Sequence, residues 1–307
     1  MSDATKTTIG FVGLGNMGRH MSRRIAEGGC TMFAYDISKD ACEEAAGHGM
    51  AICGSPKEVA DKAEIVLCSL PTPQVMKDVL LGAEGLQAGS TVRIVIDLST
   101  VGPAASAEAA EGLAKRDITL IDAPVSGGTT GAAAGTLAVM VSGPEDAITE
   151  VRAVLDLIGS KILFVGTEAG NAQIAKLTNN MLFAANLVSA LEAMAYGVKG
   201  GLDPRLLLEA LNASSGRSYV TETRIGPAVL QRDDAVRFAT ELLNKDVQLG
   251  LAAAEELGAR SYMNSAAGEF LLDAVKQGFG PRDYAALIEI FEEWNKVSVE
   301  AEPAKDQ

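Results

Sequence analysis

Short apolar runs alternate with helical spacing through the first half of the chain. Residues 8–12, 30–35, 51–53, 65–70, 92–97 and 119–122 are compact apolar stretches bounded by Gly, Pro, Asp or Ser, and they read as buried strands. Further runs at 137–141 and 163–165 extend the series. Between them lie helical segments: one from Met17 to about Glu27, one capped by Ser38 and running to about Gly47, and one opened by Ser55-Pro56-Lys57-Glu58. That last tetrapeptide has the spacing of a capping box with proline at the first helical position. Apolar strands joined through helices require crossover connections, so the pattern predicts an α/β fold, a Rossmann-type doubly wound parallel sheet. Ligands of such sheets gather at the carboxyl ends of the strands. The loops at 13–18, 70–73, 99–100 and 123–128 are therefore expected to share one crevice.

Past Gly170 the strand pattern stops. Residues 171–199 contain no proline and no glycine before Gly197, which predicts one helix of about 28 residues, roughly 40 Å long. Its apolar positions lie all around the axis, so burial on most sides is expected. Helices are also expected at 204–213, 227–231, 238–257, 266–277 and 284–297, and the polar stretch 298–307 is expected to fray. The chain thus divides into a dinucleotide-binding domain, residues 1–166, and an all-α domain, residues 167–307.

The turn after the first strand, Gly13-Leu14-Gly15-Asn16-Met17-Gly18, has the Gly-x-Gly-x-x-Gly form of a dinucleotide site. Gly13 permits the sharp turn, Gly15 admits a pyrophosphate to the main chain, and Gly18 lets helix and strand pack closely. The unpaired N–H groups at the helix start suit a diphosphate. Asp36 follows the second strand, 21 positions beyond Gly15, where an acid that grips ribose hydroxyls belongs. That carboxylate would repel a 2′-phosphate, and Ile37, Ser38 and Lys39 offer no arginine to receive one. NAD is therefore favoured over NADP.

Composition narrows the function further. With 307 residues, 48% hydrophobic content and 21% charged content, the chain can fill the cores of two domains. The net charge of −14, without a basic cluster, argues against nucleic acid and anionic membranes as partners. No membrane span is expected, since residues 181–198 are interrupted by Asn186, Ser189 and Glu192, and no secretory signal opens the chain. Cys30, Cys42, Cys53 and Cys68, with His20 and His48, have no zinc-site spacing, so no metal is expected and a reducing cytoplasm fits.

Candidate chemistry lies past the sixth strand. Ser126-Gly127-Gly128 exposes a hydroxyl and successive N–H groups, and reads either as a carboxylate grip or as an ordinary turn. Lys176 and Asn180 stand four apart and share one helix face, from which Asn179 is rotated away. Among Ala172, Ile174, Ala175 and Leu177, a buried Lys176 would be desolvated and available for proton transfer; the alternative is a lysine snorkelling to the surface. Lys245-Asp246 reads equally as a solvated helix pair, and Arg217 as an anion contact or a loop arginine.

Taken together, the chain resembles the β-hydroxyacid dehydrogenase family, which includes 3-hydroxyisobutyrate dehydrogenase and tartronate semialdehyde reductase. The resemblance spans about residues 8–297. It rests on the glycine turn, Asp97-Leu98-Ser99-Thr100, the 122–128 segment Asp-Ala-Pro-Val-Ser-Gly-Gly, Lys176-x-x-Asn179-Asn180 and Lys245-Asp246. It implies a helical domain like that of 6-phosphogluconate dehydrogenase, a catalytic Lys176, a substrate carboxylate held by Ser126, Gly127 and Gly128, and Asn180 orienting the substrate. It also implies a coenzyme held by Gly13, Leu14, Gly15, Asn16, Met17 and Asp36, with Leu70, Pro71 and Thr100 at the nicotinamide end. Lys245 would close over the coenzyme, supported by Phe238 and Asp246. One departure stands out: the family's Gly-x-Gly before the lysine is here Gly170-Asn171-Ala172.

The expected activity is hydride transfer between a nicotinamide coenzyme and the hydroxyl carbon of a small 3-hydroxyacid. Lys176 would take the hydroxyl proton on oxidation. The runner-up is a tartronate semialdehyde or other semialdehyde reductase; a non-catalytic dinucleotide-binding module is the alternative of another class. Thr129, Thr130, Tyr219, Phe238 and Asn244 suggest a small polar or branched acid. Apolar surface in the second half points to a homodimer or homotetramer.

Overall fold

Among the described residues the eight runs read as strands, with a short further strand at Val125–Ser126, form one mixed sheet of nine. The structure is a computed structural model that describes residues 8–300. Five crossovers build its parallel part: β1 (Thr8–Val12), α1 (Gly18–Glu27), β2 (Thr31–Tyr35), α2 (Lys39–Gly47), β3 (Ala51–Ile52), α3 (Pro56–Lys62), β4 (Ile65–Cys68), α4 (Pro73–Leu81), β5 (Ile94–Asp97), α5 (Pro103–Ala114) and β6 (Thr119–Asp122). These strands lie in the order β3-β2-β1-β4-β5-β6, each pair parallel.

Both faces of this sheet are covered, which explains why its strands are apolar runs rather than alternating ones. Ile9, Phe11, Ile65, Leu67, Ile94 and Ile96 share one core with Met21 and Ile25 of α1. The intervening Val66, Cys68 and Val95 point the other way, into a core with Val59 of α3, Leu80 of α4 and Leu113 of α5.

Beyond β6 the sheet changes direction. β7 (Val125–Ser126), α6 (Gly128–Ala134) and β8 (Leu137–Ser142) follow, then α7 (Glu145–Ile158) and β9 (Gly159–Gly166). β8 runs antiparallel to both β6 and β7, while α7 carries the chain across to a parallel β9. The sheet is thus mixed rather than wholly parallel. The chain turns back through the short β7 and α6 and enters β8 from the end at which β6 stops. A parallel return would need a crossover on the far side.

Helix starts are local chemistry. The Ser38 hydroxyl accepts from Ala41 N, Ser55 from Glu58 N and Thr72 from Val75 N, capping α2, α3 and α4. In the predicted capping box the Glu58 carboxylate reaches back to Gly54 N at 2.6 Å, one residue beyond the cap.

The chain forms two compact units that part between Leu177 and Thr178, inside α8 (Asn171–Lys199). Secondary structure changes character after β9, yet the first turns of α8 are bonded into the sheet unit, for the reasons given below. The helical unit continues with α9 (Pro204–Asn212), α10 (Thr240–Glu256), α11 (Tyr262–Ala274) and α12 (Ile288–Asn295). By length and composition α8 is apolar enough to cross a membrane. Ala184, Leu187, Leu191, Met194 and Ala195 are nevertheless buried in the core of the helical unit, together with Leu243, Val247 and Leu271.

Three expected helices differ in form. The segment at 227–231 belongs to a longer π-helix, Thr221–Leu230, whose wider turn takes in Pro227. The one at 266–277 starts earlier, as α11, and passes into a π segment, Val275–Phe279, broken by Gly278 at φ 95°. The last begins as a 3-10 turn, Tyr284–Leu287, capped by the Asp283 side chain, before α12.

Candidate active site

In the sheet unit, register aligns the ends of four strands. Val12 is opposite Cys68, Cys68 opposite Asp97, and Asp97 opposite Asp122. The loops after β1, β4, β5 and β6 therefore leave the same end of the sheet, side by side.

The first loop fits a dinucleotide. A methyl group added at Gly18 would sit 1.8 Å from the Gly13 carbonyl oxygen, and one at Gly13 (φ +93°) would sit 2.3 Å from that of Ser69. At Gly15 no atom lies within 4 Å of that position. Two glycines are thus demanded by packing, and the third leaves open space. No side chain caps α1; Arg19 N donates to the Gly15 carbonyl (3.0 Å) and His20 N to that of Met17 (3.2 Å). Asp36 binds this loop directly: its carboxylate accepts from Leu14 N at 2.6 Å and from Ser38 N at 2.8 Å.

The second and third loops are tied by a serine. Ser99 donates its hydroxyl to the buried Asp97 carboxylate at 2.5 Å and accepts from Leu70 N at 2.8 Å. This fixes the 70–71 and 99–100 segments, which carry the predicted nicotinamide-end residues Leu70, Pro71 and Thr100. Burial, with Asp97 beside it, pushes the Cys68 thiol well up, so Cys68 is held as a neutral core residue.

Gln173 is the residue that sequence reading missed. It is fully buried, and its amide oxygen accepts from Val101 N (2.9 Å) and Gly102 N (3.1 Å). Its amide nitrogen donates to the Ser99 carbonyl (3.0 Å) and to Asp122 (2.6 Å). The Asp122 carboxylate also accepts from Gly170 N (3.1 Å) and Gln173 N (3.3 Å), while Ser142 accepts from Ala172 N (3.0 Å). The opening N–H groups of α8 are thus satisfied by side chains from β6 and β8. Ala172 still makes its backbone bond, so the departure from Gly-x-Gly removes none. Burial lifts the Asp122 carboxyl to about 6, against the downward pull of these bonds, the Gln173 side chain foremost.

Lys176 follows Gln173 by three residues and is buried at 7% exposure. That burial favours the desolvated reading over the snorkelling one. Ser126 lies in β7 and Gly127 (φ +135°) precedes α6, with Gly128 (φ +64°) open around its missing side chain. No side chain caps α6.

In the helical unit, Asn180 is buried and donates to Asp246 at 2.7 Å; its oxygen accepts from Asn179, rotated away on the helix but close in side chain. Asp246 also pairs with Lys245 at 3.0 Å, so the Lys245-Asp246 pair is not simply a solvated one: its acid is buried. Phe238 takes no part in that chain. Its N–H, with that of Arg237, is held by Asp283. Arg217 is an exposed loop residue.

Residues 8–166 match the family described as the NAD binding domain of 6-phosphogluconate dehydrogenase. Residues 170–291 match the NAD-binding domain of NADP-dependent 3-hydroxyisobutyrate dehydrogenase. The chain belongs to the β-hydroxyacid dehydrogenase family. This dehydrogenase is 36% identical to 2-(hydroxymethyl)glutarate dehydrogenase of Eubacterium barkeri, covering 95% of this chain and 97% of that one. It is 34% identical to mitochondrial 3-hydroxyisobutyrate dehydrogenase of Homo sapiens, over 95% and 89%. Among solved structures, 3-hydroxyisobutyrate dehydrogenase of Mycobacterium tuberculosis with L-serine superposes with a TM-score of 0.84 at 31% identity, over 92% and 98%. The chain is therefore an oxidoreductase that uses NAD or NADP and acts on a small hydroxyacid or its semialdehyde.

Proposed function

We propose that this dehydrogenase interconverts a 3-hydroxyacid of the 3-hydroxyisobutyrate type and its semialdehyde, with NAD as the preferred coenzyme. The relatives' named compounds share a pattern: 3-hydroxyisobutyrate, 2-(hydroxymethyl)glutarate and serine each carry a hydroxymethyl group on the carbon that bears a carboxylate. They differ in the third substituent on that carbon. A site built for this pattern grips one carboxylate and one hydroxyl.

In this reading Ser126 and the N–H groups of Gly127 and Gly128 hold the carboxylate, and Asn180 orients the substrate. Lys176 takes the hydroxyl proton on oxidation and returns it on reduction. Bound nicotinamide supplies the hydride acceptor or donor. Residues 1–166 carry the coenzyme and 167–307 the helical domain. The observation that carries the reading is the buried Lys176, three residues beyond Gln173, in a helix whose start Asp122 and Gln173 fix in place. Asp36 supports NAD, because a carboxylate beside Leu14 N accepts ribose hydroxyls and repels a 2′-phosphate. Four free thiols suit a reducing, cytoplasmic setting. Exposed Leu182, Tyr196, Tyr262 and Trp294 support a homo-oligomer, to be checked by light scattering.

Lys176→Ala tests the assignment. The expected result is a fall in kcat of about 100-fold or more with the NAD dissociation constant changed less than about twofold. Near-normal turnover would remove Lys176 from the chemistry. A lower KM for NADP than for NAD would overturn the coenzyme preference.

A further inference from the structure

Gln173 reaches beyond its own helix. A side-chain amide offers two N–H donors and two acceptor lone pairs. Here all four are taken, at 2.6–3.1 Å, by groups outside α8. Three of them, the Ser99 carbonyl and the N–H groups of Val101 and Gly102, bracket Thr100; the fourth is the Asp122 carboxylate. No side chain caps α5, and its entry is held instead by the Gln173 oxygen on Val101 N and Gly102 N. Ser99 carries the tie to a second loop, because its hydroxyl oxygen accepts from Leu70 N.

The two helix starts also touch. A Cβ added at Gly170 (φ +98°) would stand 3.0 Å from the Pro103 carbonyl oxygen and 3.2 Å from the Pro103 Cα, so α8 opens in direct contact with the opening of α5. All of these residues belong to the sheet unit, which takes in α8 as far as Leu177. Lys176 lies in the same unit, three residues past Gln173 and ~4.5 Å along the helix axis. An amide with every donor and acceptor engaged cannot follow the helix without pulling on the loop, nor follow the loop without pulling on the helix.

We propose that Gln173 is a positioning residue that keeps Lys176 in register with the 99–102 loop, so that coenzyme contact with the loop is felt at the turn that carries the amine. The proposal rests on the reading above, in which Lys176 moves the proton and Thr100 lies at the nicotinamide end, and deepens it by naming what aligns the two. On oxidation the hydride leaves the alcohol carbon for nicotinamide while the proton leaves the alcohol oxygen for the Lys176 amine. Both acceptors must therefore meet one C–O unit, and a misplacement of about 1 Å can cost about 100-fold in rate.

Gln173→Asn keeps the amide but shortens it by one methylene, so it cannot reach the loop and Asp122 together. With 3-hydroxyisobutyrate as substrate, kcat is expected to fall about 10- to 100-fold and the NAD KM to change less than about threefold. The deuterium isotope effect on kcat should rise, because hydride transfer becomes the slow step. A folded variant with wild-type kcat and isotope effect would mark Gln173 as structural only and overturn the proposal. Added to Lys176→Ala, Gln173→Asn should cost nothing further, since the group it positions is gone; multiplying losses would also overturn it. Near-normal turnover in Lys176→Ala alone would instead remove the role assigned to the lysine.

Hydrogen exchange read by mass spectrometry tests the coupling without turnover. In wild-type protein NADH should protect peptides covering both 99–102 and 170–177. In Gln173→Asn protection of 99–102 should persist while that of 170–177 falls to less than about half. Equal protection of 170–177 in wild type and variant, or none in wild type, refutes the coupling even where no acid is oxidised.

Discussion

The side-chain amide of Gln173 lies 2.6 Å from the carboxylate of Asp122, and both residues are fully buried. The same carboxylate receives two backbone N–H groups from the start of α8. One acid and one amide thus join the ends of β5 and β6 to the helix that carries Lys176.

Replacing Gln173 by Leu leaves Val101 N, Gly102 N and the Ser99 carbonyl without their partner. Each orphaned buried group costs on the order of 1–3 kcal/mol, and partial relaxation brings the expected total to about 3–4 kcal/mol. Urea unfolding of Gln173→Leu should show that loss, with kcat also reduced because Lys176 sits one turn on. A stability within about 0.5 kcal/mol of wild type would mean the amide is not holding these loops.

Asp122 makes stability depend on pH in a direction opposite to most carboxylates. Its folded-state pKa, about 6, is raised mainly by burial. The protonated form is therefore the one the fold prefers. This contribution is complete below about pH 4, fades as pH climbs through 6, and amounts to roughly 3 kcal/mol once lost. Asp122→Asn removes the titration, so the change in unfolding free energy between about pH 4.5 and 7 should be less downward in the variant than in wild type. Parallel pH curves would contradict it.

The glycines of the first loop should separate folding from binding. Gly18→Ala places a methyl group against the Gly13 carbonyl, a backbone atom that cannot give way, and is expected to destabilise by about 3 kcal/mol or more. At Gly15 an added Cβ meets no atom within 4 Å, so for Gly15→Val the melting temperature should hold while NAD binding weakens by about tenfold or more. Fluorescence titration of NAD alongside thermal melts checks both. Equal NAD affinity in Gly15→Val would show that the open space is not where the coenzyme lies.

What the sequence made legible is what depends on near neighbours. The glycine turn, the caps at Ser38 and Ser55, and both ends of α8 were readable from adjacent residues. Gly170 at φ +98° stops the chain before that helix, and Gly200 and Gly201 end it. Gln173 was not readable, since a lone amide in an apolar helical turn gives no sign of partners 51 to 74 positions away. The reversal at β8 was hidden because apolar runs carry no direction. Helix α6, Gly-Thr-Thr-Gly-Ala-Ala-Ala, was hidden by its two glycines, which read as a continuing turn. Arg217 drew attention by its Ser-Gly neighbours.

Asp246 touches both Asn180 and Lys245. Substitutions at these two positions therefore perturb a shared third party, and their energetic effects will not sum. Directed evolution that samples one position at a time would misjudge both; the three must be varied as a set.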